Sequence, residues 1–106
     1  MYQDNIVLCG ASSYSKKYYQ NEDFSSLPQA VQDELKILCV LFTEEIGGTI
    51  ELFFDEEGEL QIQTSAKEGD LLYDEIGSVL KIKQLRREKA ELFESLETYY
   101  QVFMPG

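Results

Sequence analysis

The feature that most constrains this chain is residues 71–104, which have the pattern of one long helix. From position 82 onward their apolar residues recur at three- and four-residue spacings, as in a helix that packs along a seam. A continuous helix of that length is about 50 Å long, whereas a domain of this size has a radius of gyration of about 13 Å. We therefore expect either a break near Gly77 and Ser78 or a protruding end that packs against another chain.

A central helix is predicted over residues 27–46. Pro28 suits the first turn of a helix, and apolar residues follow it at helical spacing. Gly47 and Gly48 end the pattern, because glycine favours the backbone conformation that stops a helix. This helix is expected to lie in the core.

A β-hairpin is predicted over residues 49–65, where "TIELFF" and "ELQIQTS" alternate with a period of two around "DEEG". Residues 5–9 can add an N-terminal strand, and the polar stretch 11–26 is expected to form a surface loop. The predicted fold is therefore α+β, a small antiparallel sheet packed against the two helices in a single domain, 1–106. One sheet face should hold the alternate hairpin residues Ile50, Leu52, Phe54, Leu60, Ile62 and Thr64.

The charge of the chain excludes several classes of partner. Twenty acidic and nine basic residues give a formal net charge of −11. Binding to nucleic acid or to an anionic membrane is disfavoured, because both depend on Lys and Arg meeting phosphate. No stretch has the length and hydropathy of a membrane span, and "MYQDNIVLCGA" lacks the cationic start of a signal peptide, so we expect a cytoplasmic protein.

Nucleophilic catalysis has little support in the residue types present. The chain has no histidine, which excludes Ser-His-Asp and Cys-His mechanisms. Cys39 lies on an apolar helix face and is expected in the core, whereas Cys9 is the thiol more open to exposure but lacks a strongly basic neighbour. Both are expected to stay reduced. We predict no catalytic residue and no cofactor.

Two similar motifs, "TEEIGG" at 43–48 and "YDEIGS" at 73–78, supply the candidate metal ligands. The first acidic pair follows the central helix, where the helix dipole disfavours carboxylates that have no compensating cation. Oxygen ligands of this type suit Mg²⁺ or Ca²⁺. Adjacent acids also occur at helix ends that simply face solvent. In so acidic a chain we prefer this second interpretation, which predicts no intrinsic metal site. The candidate ligands are Glu44, Glu45, Asp74 and Glu75.

The stretch "KIKQLRREK" at 81–89 holds five of the nine basic residues and one acid. Such asymmetry can orient one surface against another, within the chain or between copies. It can equally balance the acids that follow on the same helix. We combine this basic stripe with the apolar seam as the predicted interface: Lys81, Ile82, Lys83, Leu85, Arg86, Arg87, Leu92, Leu96, Tyr99 and Phe103.

Five phrases spread over almost the whole chain carry a family resemblance: "NIVLCGASSY", "KKYYQNEDFSSLP", "DELKILCVLFTEEIGG", "YDEIGSVLKIKQL" and "EKAELFESLETYY". Together they resemble a family of small acidic proteins from anaerobic Gram-positive bacteria known only as a domain of unknown function. The resemblance implies a free-standing cytoplasmic domain. It supplies no reaction, ligand or catalytic residue.

We predict a non-enzymatic interaction or adaptor protein that forms a homodimer or binds another protein. Two alternatives stay open: a metal-dependent enzyme that uses clustered carboxylates, and a small acidic protein resembling secretion chaperones, the latter by analogy alone. Geometry discriminates between the first two. Convergence of the four acids in one concave pocket favours the enzyme, whereas acids dispersed over the surface favour the interaction protein.

Overall fold

Within residues 5–104, the part of the chain that the computed structural model describes, three helices cover one face of a four-stranded antiparallel sheet. The strand order is β2-β1-β3-β4, and every neighbouring pair is antiparallel. The predicted α+β class is confirmed. The strands are β1 (Ile6–Ser12), β2 (Lys17–Gln20), β3 (Thr49–Phe54) and β4 (Leu60–Ser65). The helices are α1 (Gln29–Ile46), α2 (Glu75–Glu88) and α3 (Ala90–Phe103).

The predicted hairpin is present as β3 and β4. Ile50, Leu52 and Phe54 are buried, and the intervening residues of β3 are partly exposed, so the period-two pattern marks the core face correctly. Their cross-strand partners are the three residues expected on the matching face: Thr64, Ile62 and Leu60. Gly58 holds a φ of 82° in the connecting turn, a conformation that glycine adopts at little cost.

The N-terminal region contains more sheet than the sequence predicts. The expected strand at 5–9 extends to Ser12 as β1, which pairs with β3 on one side and β2 on the other. β2 lies inside the stretch 11–26 that was expected to be a loop, and that expectation is wrong. Its residues "KYYQ" lack an apolar alternation, so the sequence gives no strand signal there. The strand is defined mainly by its backbone pairing with β1.

The C-terminal helical stretch starts later and breaks elsewhere than the sequence predicts. It begins at Glu75, four residues after position 71, and the expected break at Gly77 is wrong because Gly77 lies in the first turn of α2. There its main-chain N–H is bound by Asp74, and a Cβ at Gly77 would collide with that carboxylate. The break falls instead at Lys89 (φ −108°, ψ 22°), the position that interrupts the apolar spacing.

This break resolves the length conflict. The longest dimension of the molecule is 41 Å, shorter than one unbroken helix over 71–104 would be. After the turn at Lys89, α3 packs against the sheet, and the ring centroids of Tyr100 and Phe54 are 4.3 Å apart. Phe24, which precedes α1, also packs on Phe54, with a centroid distance of 5.6 Å. In the described residues, no helix combines the length and the hydropathy needed to cross a membrane.

Candidate interaction surface on helix α2

Three of the five cations of the predicted basic stripe are used within the chain. Lys81 Nζ lies 3.3 Å from the Glu45 carboxylate, and Lys89 Nζ lies 2.9 Å from that of Glu34. These two ion pairs hold α2 against α1. The Arg86 guanidinium lies within 3.5 Å of two oxygen atoms of β4. Most of the basic side chains of the stripe therefore hold α2 against α1 and β4 of the same chain and are not free to contact a partner.

Lys83 and Arg87 differ from the other three. Both side chains are exposed, and neither makes an ion pair or a side-chain hydrogen bond with another residue of the described range 5–104. They lie four residues apart, which places them on the same face of α2. This face therefore presents two uncompensated positive charges in a chain of net charge −11.

The apolar seam that was predicted as an interface lies largely inside the molecule. Leu85 and Leu96 are 6% and 2% exposed and belong to the core of the chain itself, so they are not available to a partner. Phe103 is 67% exposed, with its ring centroid 4.9 Å from that of Tyr99. The remaining seam residues are partly buried against the core: Ile82, Leu92 and Tyr99.

A different group of apolar side chains is exposed. Leu71 and Leu72, just before α2, are 95% and 90% exposed, and Ile76, Val79 and Leu80 in its first half are 76%, 55% and 61% exposed. We call these five residues the α2 patch. Positions 76, 79, 80, 83 and 87 recur at three- and four-residue spacings, so the helical part of the patch continues directly into the exposed cations.

Hydrogen bonds fix the segment that presents the α2 patch. Asp70 accepts a hydrogen bond from the Tyr14 hydroxyl at 2.5 Å, and this bond holds the pKa of Asp70 below its usual range. Asp74 caps α2 by accepting the Gly77 N–H at 2.8 Å, while its own N–H donates to the carbonyl of Ile46 at the end of α1. The turn before α2 is thus bound at both of its ends although Leu71 and Leu72 are exposed.

The four acids considered as metal ligands have separate surroundings. Glu45 pairs with Lys81, and Asp74 caps α2. Glu44 lies at a cavity beside the β1–β2 connection, and Glu75 is exposed in the first turn of α2. Within residues 5–104, no group of three or more His, Cys, Asp or Glu side chains is placed to hold a metal ion. The two motifs therefore have different local roles despite their similar sequences.

The two thiols lie together in the core. Cys9 and Cys39 are both 0% exposed, and their sulfur atoms are 3.9 Å apart. The neighbouring Cys9 thiol, followed by burial, raises the pKa of Cys39, so this thiol is not activated as a nucleophile. The expectation that Cys9 is the more exposed thiol is wrong, because α1 covers the central strand β1 that contains it.

The α2 patch lies outside the interface that the sequence predicts. Its signal is "LLYDEIGSVL" at 71–80, where five of ten residues are Leu, Ile or Val. The sequence pattern predicts these residues as part of a long helix and the regular seam from 82 onward as the interface. Burial reverses that assignment, because the regular spacing marks the side of α2 and α3 that faces the sheet.

Fold and surface together define a small acidic α+β protein with an exposed apolar patch on α2 beside unpaired cations. Residues 5–106 match a family of unknown function (DUF6145), and the chain belongs to that family. The resemblance that was noted in the sequence is confirmed to this extent. No curated protein and no solved structure matches the chain.

Proposed function

We propose that this protein is a non-enzymatic cytoplasmic interaction protein that forms a homodimer through the outer face of α2. The supporting observation is the α2 patch, five aliphatic side chains that are 55–95% exposed within ten residues. Contiguous apolar surface with a charged rim is typical of a site that another protein covers. Hydrogen bonds to Asp70 and Asp74 also hold the turn that presents this surface.

The order of charges along α2 favours a second copy as the partner. Glu75 is exposed at the start of the helix, the apolar residues occupy the middle, and Lys83 and Arg87 are exposed near the end. Two such helices that pack antiparallel about a two-fold axis bring acidic start against basic end, twice. The cations left unpaired within one chain then acquire partners.

The spacing of the residues sets the register of this pairing. If the two-fold axis passes near Val79, this residue meets its own counterpart, and Ile76 and Leu80 of each copy lie within one helical turn of it. Glu75 then lies opposite Lys83, with Arg87 one turn further along. The apolar centre excludes water while the charges fix direction and register.

The dispersal of the acidic motifs supports an interaction protein over a carboxylate-based enzyme. Glu45 and Asp74 each have a local structural partner, and Glu44 lies at a different surface from Glu75. The proposed interface also moves from the seam to the outer face of α2, because Leu85 and Leu96 are buried in the chain's own core.

The test is light scattering coupled to size-exclusion chromatography over a dilution series, on the wild type and on Leu80→Asp. We expect the wild type to show twice the mass of one chain at high concentration and to dissociate on dilution. The two-fold axis places the substituted residue in the interface twice, once from each copy. A loss of about 1.5 kcal/mol of binding free energy per leucine therefore weakens the dimer by about a hundredfold.

The matched control is Val102→Asp, which also changes an exposed aliphatic residue but lies near the end of α3. It should leave the dimer unchanged, and circular dichroism should show both variants folded. A wild type that is monomeric at every concentration would refute the proposed homodimer. Equal weakening by Leu80→Asp and Val102→Asp would show that the interface is not specific to α2.

A further inference from the structure

A second surface, which shares no residue with the α2 patch, has several basic side chains around a cavity of about 530 Å³ between α1 and the β1–β2 connection. Its lining includes Lys16, Lys17 and Lys36, which we call the lysine cavity, together with Tyr18 and Thr43. The volume lies in the range of small-molecule sites. Ala11 and Val40 supply an apolar part of the lining.

The charges of the lysine cavity are unusual for this chain. Only four of the nine basic residues lie outside the stretch 81–89, and three of them line this one cavity. None of the three makes an ion pair within the described residues, although the chain has twenty acids. Glu44 is the one acid in the lining. Three lysines and one carboxylate give the lining an excess of positive charge, which attracts anions.

Tyr18 provides an independent observation. Its hydroxyl oxygen is buried and has no hydrogen-bond partner within residues 5–104. Burial, with a further contribution from the nearby Cys9 thiol, raises the pKa of Tyr18, so the hydroxyl keeps its proton and remains a donor at neutral pH. The hydroxyl therefore lies beside the Cys9 thiol and is closed to solvent. Tyr18 still contributes to the lining of the cavity.

We propose that the lysine cavity binds a small molecule that bears a phosphate monoester. A phosphate dianion offers three acceptor oxygens and two negative charges, which match several ammonium groups. The cavity is much larger than a phosphate ion, so the organic part of the ligand has room against the apolar lining formed by Ala11 and Val40. The site is independent of the proposed dimer.

The test is calorimetric titration of the full chain with phenyl phosphate at about pH 7.5, where the phosphate is a dianion. We expect a Kd below about 1 mM, and weaker binding of phenyl sulfate, which has nearly the same shape but one charge fewer. Lys17→Gln and Lys36→Gln should each weaken binding of phenyl phosphate by about tenfold. Glu44→Gln should tighten it, because this change removes the one acid in the lining.

Two further variants separate a built site from general attraction of anions. Lys83→Gln with Arg87→Gln removes two unpaired cations from α2, more than either cavity variant, and should leave the affinity for phenyl phosphate unchanged. Tyr18→Phe keeps the aromatic ring in the lining and should also leave the affinity unchanged, because the hydroxyl oxygen is closed to solvent. Absence of binding at about 10 mM, equal binding of phenyl sulfate, or equal loss in the α2 control would overturn the proposal.

Discussion

Leu96 shows how one residue can have the sequence pattern of an interface and the surroundings of a core. It is spaced regularly along α3 with its neighbours, yet it is 2% exposed and belongs to the hydrophobic core. Regular apolar spacing identifies a side of a helix that is buried, and it does not say which surface buries it. For α3 that surface is the sheet of the same chain.

We predict that Leu96→Ala lowers the free energy of unfolding by about 2 to 5 kcal/mol, because it leaves a cavity in the core. Phe103→Ala, a change in an exposed residue of the same seam, should cost less than about 1 kcal/mol. Urea unfolding followed by circular dichroism measures both. If Leu96→Ala were as mild as Phe103→Ala, and affected the mass in solution instead, the seam would be an interface after all.

At the scale of elements, the β3–β4 hairpin depends on its turn as well as its alternation. The Asp55 carboxylate accepts the main-chain N–H groups of Glu57 and Glu59 at 2.9 Å and the Gln61 side-chain amide at 3.0 Å. The bond from Glu59, the largest cause, and that from Gln61 hold the pKa of Asp55 below its usual value. The ionised form is therefore the one that the folded turn prefers.

The lowered pKa of Asp55 predicts that the stability of the fold decreases as the pH falls. Because the folded-state pKa of Asp55 is lowered, its contribution to stability is complete above the unfolded pKa of about 3.9 and is lost as the pH falls through the folded value. Asp55→Asn does not titrate, so the variant should lose less stability than the wild type as the pH drops below about 4. Urea midpoints measured at several pH values test this. Identical slopes for the two proteins would show that Asp55 contributes nothing to the pH dependence.

An element can be predicted when its own sequence shows its burial pattern, and it cannot when contacts with distant residues define it. The hairpin and α1 could be predicted because both show their burial pattern locally, as period two in Ile50, Leu52 and Phe54 and as helical spacing in α1. β2 could not, since its pairing with β1 is a backbone property that "KYYQ" does not encode. The break at Lys89 depends on how α2 and α3 dock on one sheet, which is a tertiary effect.

The candidate surface was predictable only in part. The clustering of cations at 81–89 is visible in the sequence, and α2 is the helix that holds most of them. Their partners could not be predicted, because Glu34 and Glu45 lie on α1, far away in sequence. The exposure of Leu71 and Leu72 could not be predicted either, since aliphatic residues beside a helix start are normally expected in the core. Only the assembled fold separates the structural cations from Lys83 and Arg87.

For the whole molecule, the few cations of an acidic chain are divided among distinct tasks. Ion pairs from Lys81 and Lys89 join α2 to α1, while Lys83 and Arg87 remain exposed beside the α2 patch. Three other lysines surround the cavity next to Tyr18. The proposed dimer and the proposed ligand site therefore use different residues on different elements, and each can fail without the other.

The central claim is that two copies pair antiparallel through α2, and mixing two charge variants tests it most directly. Glu75→Lys alone, and Lys83→Glu with Arg87→Glu alone, should each weaken self-association by at least about tenfold, because like charges then face each other across the two-fold axis. Mixed in equal amounts, the two proteins should form a heterodimer with both sets of charges complementary, seen by light scattering as restored dimer mass. If the mixture stays as monomeric as its components, or if either variant alone dimerises like the wild type, the antiparallel α2 interface is contradicted.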